Sequence, residues 1–459
     1  MKLNTPGKAL FSTVWIGILA KGISILTTPL FTRLLGGEEY GRLAFYLSVI
    51  GIISGIVSPF VTGSQIYGIA SKYKSNSPTI FLSGILPVLS IIGVICALLF
   101  TFSSLLTLNA VFILLITLQV LADSLILLYF TSERYNYKNK RVGILTVLEA
   151  VVAPIASILL IKLFGSSYVN RAFGILLPAL LILLFLILYS LRKGRFDRSC
   201  SLLIFKSGAP LLPVSLLGAL GTHADRLLIA FLLGNGAIAK YSVAHSLGAG
   251  LLFAVNALSA SFIPWMLRRL DLGEEERIKK VSDTVIVILS CGAFMLCAFA
   301  PEAMAILAPR DYADAVFAVM PIALSAIPAF VSSSATAALL RFPVRGGFVL
   351  CKAVSLVAGI VSGLLLIPTL GYLGAGLAAF LAELSAALIY NYFLKKNKSE
   401  GISIKGSRLT LGVLFILIFL LPLFYGNLPV RILLMIIPSV ILINIFSSER
   451  GLFFEAKKA

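Results

Sequence analysis

The stretch Leu10–Leu35, LFSTVWIGILAKGISILTTPLFTRLL, decides how this chain folds. A helix rises about 1.5 Å per residue, and roughly 20 apolar residues cross a hydrocarbon core about 30 Å thick, so this stretch can span a membrane unaided. Lys21 falls near its middle, roughly 16 Å from the start. An ammonium there costs on the order of 3 kcal/mol or more unless it faces protein or water. Thr13, Gly17, Lys21, Ser24 and Thr28 recur at spacings of four, four, three and four, which puts them on one helical face. Val, Ile, Leu and Phe occupy the rest. That polar stripe either lines a cavity, with Lys21 as its cation, or packs against a neighbouring helix with Lys21 paired to a carboxylate.

The pattern repeats along the chain. Of 459 residues, 59% are hydrophobic and 12% charged, and the mean hydropathy is +1.03. A soluble protein could not hide so much apolar surface, so an all-α polytopic membrane protein is expected. Near-continuous apolar runs, rather than alternating ones, exclude a β-barrel. Fourteen such segments are read, near 10–35, 43–70, 80–101, 109–131, 143–164, 172–191, 207–233, 240–267, 281–308, 312–340, 347–370, 372–394, 409–426 and 430–447.

The net charge of +19 could suggest nucleic acid, but its distribution does not. With the N-terminus inside, 29 of the 38 Lys and Arg residues fall at cytoplasmic ends and loops, in clusters such as Arg134–Arg141, Arg192–Arg198, Arg268–Lys280 and Lys395–Arg408. The positive-inside rule then places both termini in the cytoplasm. Lys2 and Lys8 ahead of an apolar run resemble a signal peptide, but the run is long and no small-residue cleavage site follows, so a retained first span is expected. The five cysteines show no metal or disulfide spacing.

Every loop is short, leaving no room for a soluble catalytic domain, and no phosphate-binding G-x-x-x-x-G-K-[ST] loop occurs. The chain therefore reads as no enzyme. Segments 1 and 2 meet at Arg33-Leu34-Leu35-Gly36-Gly37-Glu38-Glu39-Tyr40-Gly41, and segments 7 and 8 at Leu232-Leu233-Gly234-Asn235-Gly236-Ala237-Ile238-Ala239-Lys240-Tyr241. Both read as helix, glycine, short loop, tyrosine and helix. An even number of spans separates them, so the halves insert in parallel. The expected division is an N-lobe over 1–198 (helices 1–6), a C-lobe over 199–394 (helices 7–12), and a basic linker with helices 13–14 over 395–459. In the hairpin Ile367-Pro368-Thr369-Leu370-Gly371-Tyr372, proline is expected to end one helix before the next begins. Segments 13 and 14 look like an appended hairpin without intramembrane charge. Pro29, Pro59, Pro87, Pro154, Pro178, Pro213, Pro264, Pro321, Pro328 and Pro438 interrupt spans, where helices can bend.

At these junctions the chain resembles the polysaccharide or O-antigen flippases (Wzx-type) of the multidrug/oligosaccharidyl-lipid/polysaccharide (MOP) exporter superfamily. The resemblance rests on Leu35 to Gly41, the Asp225-Arg226 pair, Gly234 to Tyr241, Arg310-Asp311-Tyr312 and the Pro368 to Gly376 hairpin. It implies two six-helix lobes around a central cavity, working by alternating access in the cytoplasmic (inner) membrane. The implied substrate is an undecaprenyl-diphosphate-linked oligosaccharide, the repeat unit of an O-antigen, capsule or similar surface polysaccharide. A lipid II flippase of the same superfamily and a cation-coupled multidrug exporter are the alternatives. No cofactor is implied beyond a possible coupling ion, H⁺ or Na⁺. The expected partners are the polyprenyl-diphosphate-linked glycan, membrane lipids and possible polysaccharide-assembly proteins, with no nucleic acid and a monomer as the working form.

Polar residues within spans point to the site, because facing lipid is costly. Arg presents a planar fork that matches a pyrophosphate, and Lys a compact point charge, so Lys21 and Arg226 are the candidate diphosphate ligands. The alternative reading is that a carboxylate on another helix neutralises Arg226. Arg226 precedes Gly234 by 8 residues and Lys21 precedes Gly36 by 15, which sets Arg226 roughly 10 Å nearer the external side, like a second station on one path. Gln65 and Asn256 could meet sugar hydroxyls or bond neighbouring helices. Asp123, Glu149, Asp225, Glu383 and His223 are the ion-coupling candidates, each equally a structural partner; His245 could titrate as well.

Overall fold

The computed structural model describes residues 6–73, 76–101, 109–136, 139–339, 347–396 and 408–448. The regular elements among them are all helical. Helix α1 runs Pro6–Val57 and carries the first two expected spans, with a single non-helical residue, Gly36 at φ 72 and ψ 175. That backbone region is essentially closed to any residue with a Cβ. The expected loop between the spans is therefore a one-residue kink. Once α1 is divided there, the eleven long apolar helices among the described residues become twelve, and the shorter apolar helices at Leu411–Phe424 and Leu428–Asn444 bring these to fourteen.

The described chain forms two compact units, Met1–His223 and Ala224–Ala459, each with its own core. In the first unit, α1 is followed by α2 (Ser64–Lys72), α3 (Ser77–Thr101), α4 (Ala110–Tyr135), α5 (Asn139–Phe164), α6 (Tyr168–Lys193), α7 (Arg198–Gly208) and the beginning of α8 (Leu212–Leu233). Tyr46, Phe60, Phe81, Ile80, Leu115 and Leu128 fill its centre and are fully buried. Leu148, Ile155 and Leu159 of α5 and Leu181, Leu184 and Leu188 of α6 face outward, as lipid-facing residues must.

Specific bonds join the packed helices of this unit. The Glu39 carboxylate of α1 accepts the Tyr168 backbone N–H at 2.7 Å, and so satisfies an orphan donor at the start of α6. Arg171 lies 3.7 Å over the Phe31 ring and donates to the Ala153 carbonyl and the Ser157 hydroxyl, tying α6 to α1 and α5. Gly51 and Gly55 let α8 approach α1 closely. A Cβ at Gly55 would lie 2.4 Å from the Ala219 Cβ, and one at Gly51 2.2 Å from Nε2 of His223.

The second unit comprises the rest of α8, then α9 (Asn235–Gly248), α10 (Gly250–Asp271), α11 (Glu275–Ala298), α12 (Ala300–Leu307), a 3₁₀ stretch (Arg310–Ala318), α13 (Val319–Leu324) and α14 (Ala326–Leu339). It continues through α15 (Gly347–Leu370), α16 (Tyr372–Lys396), α17 (Arg408–Leu420), α18 (Leu428–Leu434) and α19 (Ile436–Ser448). Gly234, between α8 and α9, takes φ 84 and ψ −178, nearly the geometry of Gly36. The two sequence-matched junctions thus share one backbone conformation, which supports the internal repeat.

Two expectations change here. Pro368 does not end its helix, because α15 continues to Leu370, and Gly371 with φ 57 makes the turn. Its N–H closes on the Ile367 carbonyl at 2.8 Å, a left-handed helix terminus that proline cannot supply. The final hairpin, α17 to α19, does hold a buried charge. Arg431 is 2% exposed and grips Glu302 of α12 through two bonds of 2.8 and 2.6 Å. It also donates to the carbonyl of Ala298, the last residue of α11, where helical N–H donors have run out. This latch seats the hairpin against α11.

Candidate functional site

Helix α8 presents Asp225 and Arg226 side by side, about 100° apart around the helix. Both turn to α9, which begins only after the Gly234 break, so residues 16 to 20 positions onward come back beside them. The Tyr241 hydroxyl donates to Oδ2 of Asp225 at 2.6 Å, and the backbone N–H of Arg226 donates to Oδ1 at 2.8 Å. Asp225 is 7% exposed and Tyr241 is fully buried. The carboxylate's bonds therefore come from a phenol and an amide, and the guanidinium is not among them.

The Arg226 guanidinium instead donates to Nδ1 of His245 at 2.6 Å. A guanidinium only donates, so Nδ1 accepts and the ring proton of neutral His245 lies on Nε2, 3.7 Å from Oδ2 of Asp225. Nε of Arg226 has no hydrogen-bond partner. With His245 neutral the cluster is balanced, one carboxylate against one guanidinium. A second proton on His245 adds a positive charge and removes the acceptor that Arg226 uses.

The first unit gathers carboxylates instead. Asp123 of α4 accepts from Nε2 of Gln119 at 2.8 Å, one helical turn away. Its charge acts on Glu149 of α5 and on Tyr46 of α1. Gln119 is 2% exposed with Oε1 unpartnered, and the fully buried Tyr46 hydroxyl likewise makes no hydrogen bond. Two buried polar atoms beside these carboxylates therefore lack a hydrogen-bond partner.

The remaining expected site residues scatter. Lys21 lies on α1, but its side chain falls outside the described residues. Gln65 is the second residue of α2, with its amide folded back over Gly63. Asn256 is exposed on α10, one turn before Ser259, which pairs with Ser333 at 3.1 Å. Glu383 of α16 feels the charge of Lys352 on α15. The His223 ring lies over Gly51. Lys240 pairs with Asp314 at 3.1 Å, binding α9 to the 3₁₀ stretch. Sequence reading did not single out Tyr46, Asp283 or the Glu302–Arg431 latch, and it placed Tyr241 in the junction motif without a role in the site. Asp283 is 8% exposed on α11, and nothing in its local sequence sets it apart from an ordinary helix-start acid.

The family described as "Polysaccharide biosynthesis protein" matches residues 7–269, more than half of the chain. The chain belongs to that polysaccharide biosynthesis family. No curated protein matches it. Among solved structures it is similar to a mutant of the Vibrio cholerae MATE transporter VcmN, with a TM-score of 0.60 at 15% identity, over 85% of this chain and 97% of that one. It is also similar to an inward-facing multidrug resistance MATE family transporter of the MOP superfamily, with a TM-score of 0.60 at 16% identity, over 84% and 94% of the two chains. At such identities the likeness concerns the fold. The fold is like that of these MATE transporters, and in this member of the polysaccharide biosynthesis family the matched region includes the Asp225–Arg226–Tyr241–His245 cluster.

Proposed function

We propose that this protein flips an undecaprenyl-diphosphate-linked oligosaccharide, the repeat unit of a surface polysaccharide, across the cytoplasmic membrane by alternating access. The observation that carries this reading is Arg226, a cation inside a span that rests on an imidazole rather than a carboxylate and keeps Nε unpartnered. A pyrophosphate offers the paired oxygens that a guanidinium fork matches. Lys21 is the second cationic station in this reading, and Gln65 and Asn256 are the candidates for sugar hydroxyls. Coupling to H⁺ or Na⁺ runs through the acidic groups, with Asp123 and Glu149 on one unit and Asp225 with His245 on the other.

The test is surface polysaccharide in cells whose only copy carries Arg226→Ala or Lys21→Ala. The expected result is loss of the surface glycan, with accumulation of lipid-linked repeat units and unchanged protein in the membrane. Normal glycan in both single variants sinks the anion-site assignment. A second reading, a cation-coupled drug exporter, draws support from the Asp123–Glu149 pair. Normal glycan together with new sensitivity to cationic dyes in Asp123→Asn cells would favour it.

A further inference from the structure

A pocket of about 290 Å³ opens on the first unit between α4, α5 and α6, lined by Tyr129, Ile144, Leu145, Phe185, Leu186 and Tyr189. It belongs to neither cluster described above. Its floor is Tyr129 and Leu186, 3% and 1% exposed, while Ile144 and Phe185 at its mouth are 56% and 55% exposed. The same outer face continues along Leu148, Leu181, Leu184 and Leu188, so the pocket looks out from the lipid-facing side of α5 and α6. It sits at the helix ends where Arg134, Lys140, Arg141, Arg192 and Lys193 cluster, the end that the positive-inside rule assigns to the cytoplasm.

Its rim is cationic. Nη1 of Arg141 donates to the Tyr189 hydroxyl at 2.9 Å, and the guanidinium stands 5.6 Å from the centre of the Tyr189 ring. Nζ of Lys193 stands 5.1 Å from the same centre. Two exposed cations therefore converge on one phenol. The carboxylate acting on Arg141 is that of Glu133, which is itself 1% exposed. An apolar slot beneath paired cations, at the depth where headgroups lie, matches a molecule with a phosphate at one end and a hydrocarbon chain at the other.

We propose that this pocket binds an anionic glycerophospholipid of the cytoplasmic leaflet, with the phosphate between Arg141 and Lys193 and an acyl chain against Ile144, Phe185 and Leu186. The occupant is a bilayer lipid rather than transport substrate, since the pocket opens laterally on the outer face of α5 and α6.

The full-length protein, purified in neutral detergent and stripped of lipid, is titrated with phosphatidylglycerol or with phosphatidylcholine of identical chains, and bound lipid is counted by native mass spectrometry. One phosphatidylglycerol should be retained with a preference on the order of tenfold, the scale expected when two basic side chains meet an anionic headgroup. The Arg141→Gln/Lys193→Gln double variant should lose that preference. Ile144→Trp, which plugs the mouth and leaves the charges in place, should lose the bound lipid as well. Equal retention of both lipids by the wild type overturns the proposal. So does an undiminished preference in the double variant, or in Ile144→Trp, which would mean diffuse attraction to a basic surface. Displacement of the bound lipid by one equivalent of undecaprenyl phosphate overturns it in favour of a polyprenyl site.

Discussion

Tyr241 donates to Asp225 from a position without solvent contact, so this 2.6 Å bond has no water to replace it. Tyr241→Phe keeps the ring and deletes the donor. A bond to a charged group contributes about 1.5–3 kcal/mol, and removal should cost that much in thermal unfolding of the detergent-solubilised protein. Asp225→Asn should cost less in the Tyr241→Phe background than alone, because the two act on one bond. A double-mutant cycle showing simple additivity would dissolve the pair. Asp225 and Arg226 were legible as candidates because charge inside an apolar run is conspicuous. Their contacts were not. Tyr241 reads as a junction tyrosine and His245 as a titratable group, and neither position shows whom it meets until the Gly234 break folds α9 back beside α8. Likewise the pairing of Glu149 with Asp123 depends on how α4 meets α5, which no spacing within either helix encodes.

Gly36 and Gly234 carry the element-scale argument. Both hold backbone angles that side chains resist, and a Cβ at either position would meet nothing within 4 Å. Substitution by alanine should therefore report backbone strain alone, about 1–3 kcal/mol for a residue held in such a region. Gly221, inside α8 with open space around it and ordinary helical angles, is the control: alanine there should be neutral or stabilising by roughly 0.5–1 kcal/mol. Equal melting temperatures for Gly36→Ala and Gly221→Ala would refute the strain. The junction motif pointed to these glycines, yet a loop was expected where one residue suffices, because Gly-Gly-Glu-Glu reads as a turn until the helix is seen to resume at once. The prolines show the converse. Pro29, Pro87, Pro154, Pro178 and Pro264 stand inside continuous helices, so the bends they permit do not divide the spans.

At the scale of the whole molecule, two cores form on either side of residue 223, and the last two spans attach to the second. The fourteen segments were legible from composition and length. The fastening of the hairpin was not, because Glu302 and Arg431 stand 129 positions apart and each reads as a surface charge. The Glu302 carboxylate meets Arg431 through two charge-assisted bonds, so the hairpin should stay docked while that pair is intact. Limited proteolysis between Arg408 and Ser448 should leave the wild type uncut at neutral pH. Glu302→Gln should expose the hairpin at neutral pH, with a cost below the roughly 3–5 kcal/mol of a fully buried pair, since Glu302 is 40% exposed. Identical cleavage of both proteins would remove the latch from the account. The latch also bears on the order of synthesis. Arg431 emerges from the ribosome long after Glu302, so its two bonds to that carboxylate can form only once α12 has been made. The contacts that seat the last two spans are therefore among the last to form, and they close on groups that the rest of the second unit already presents.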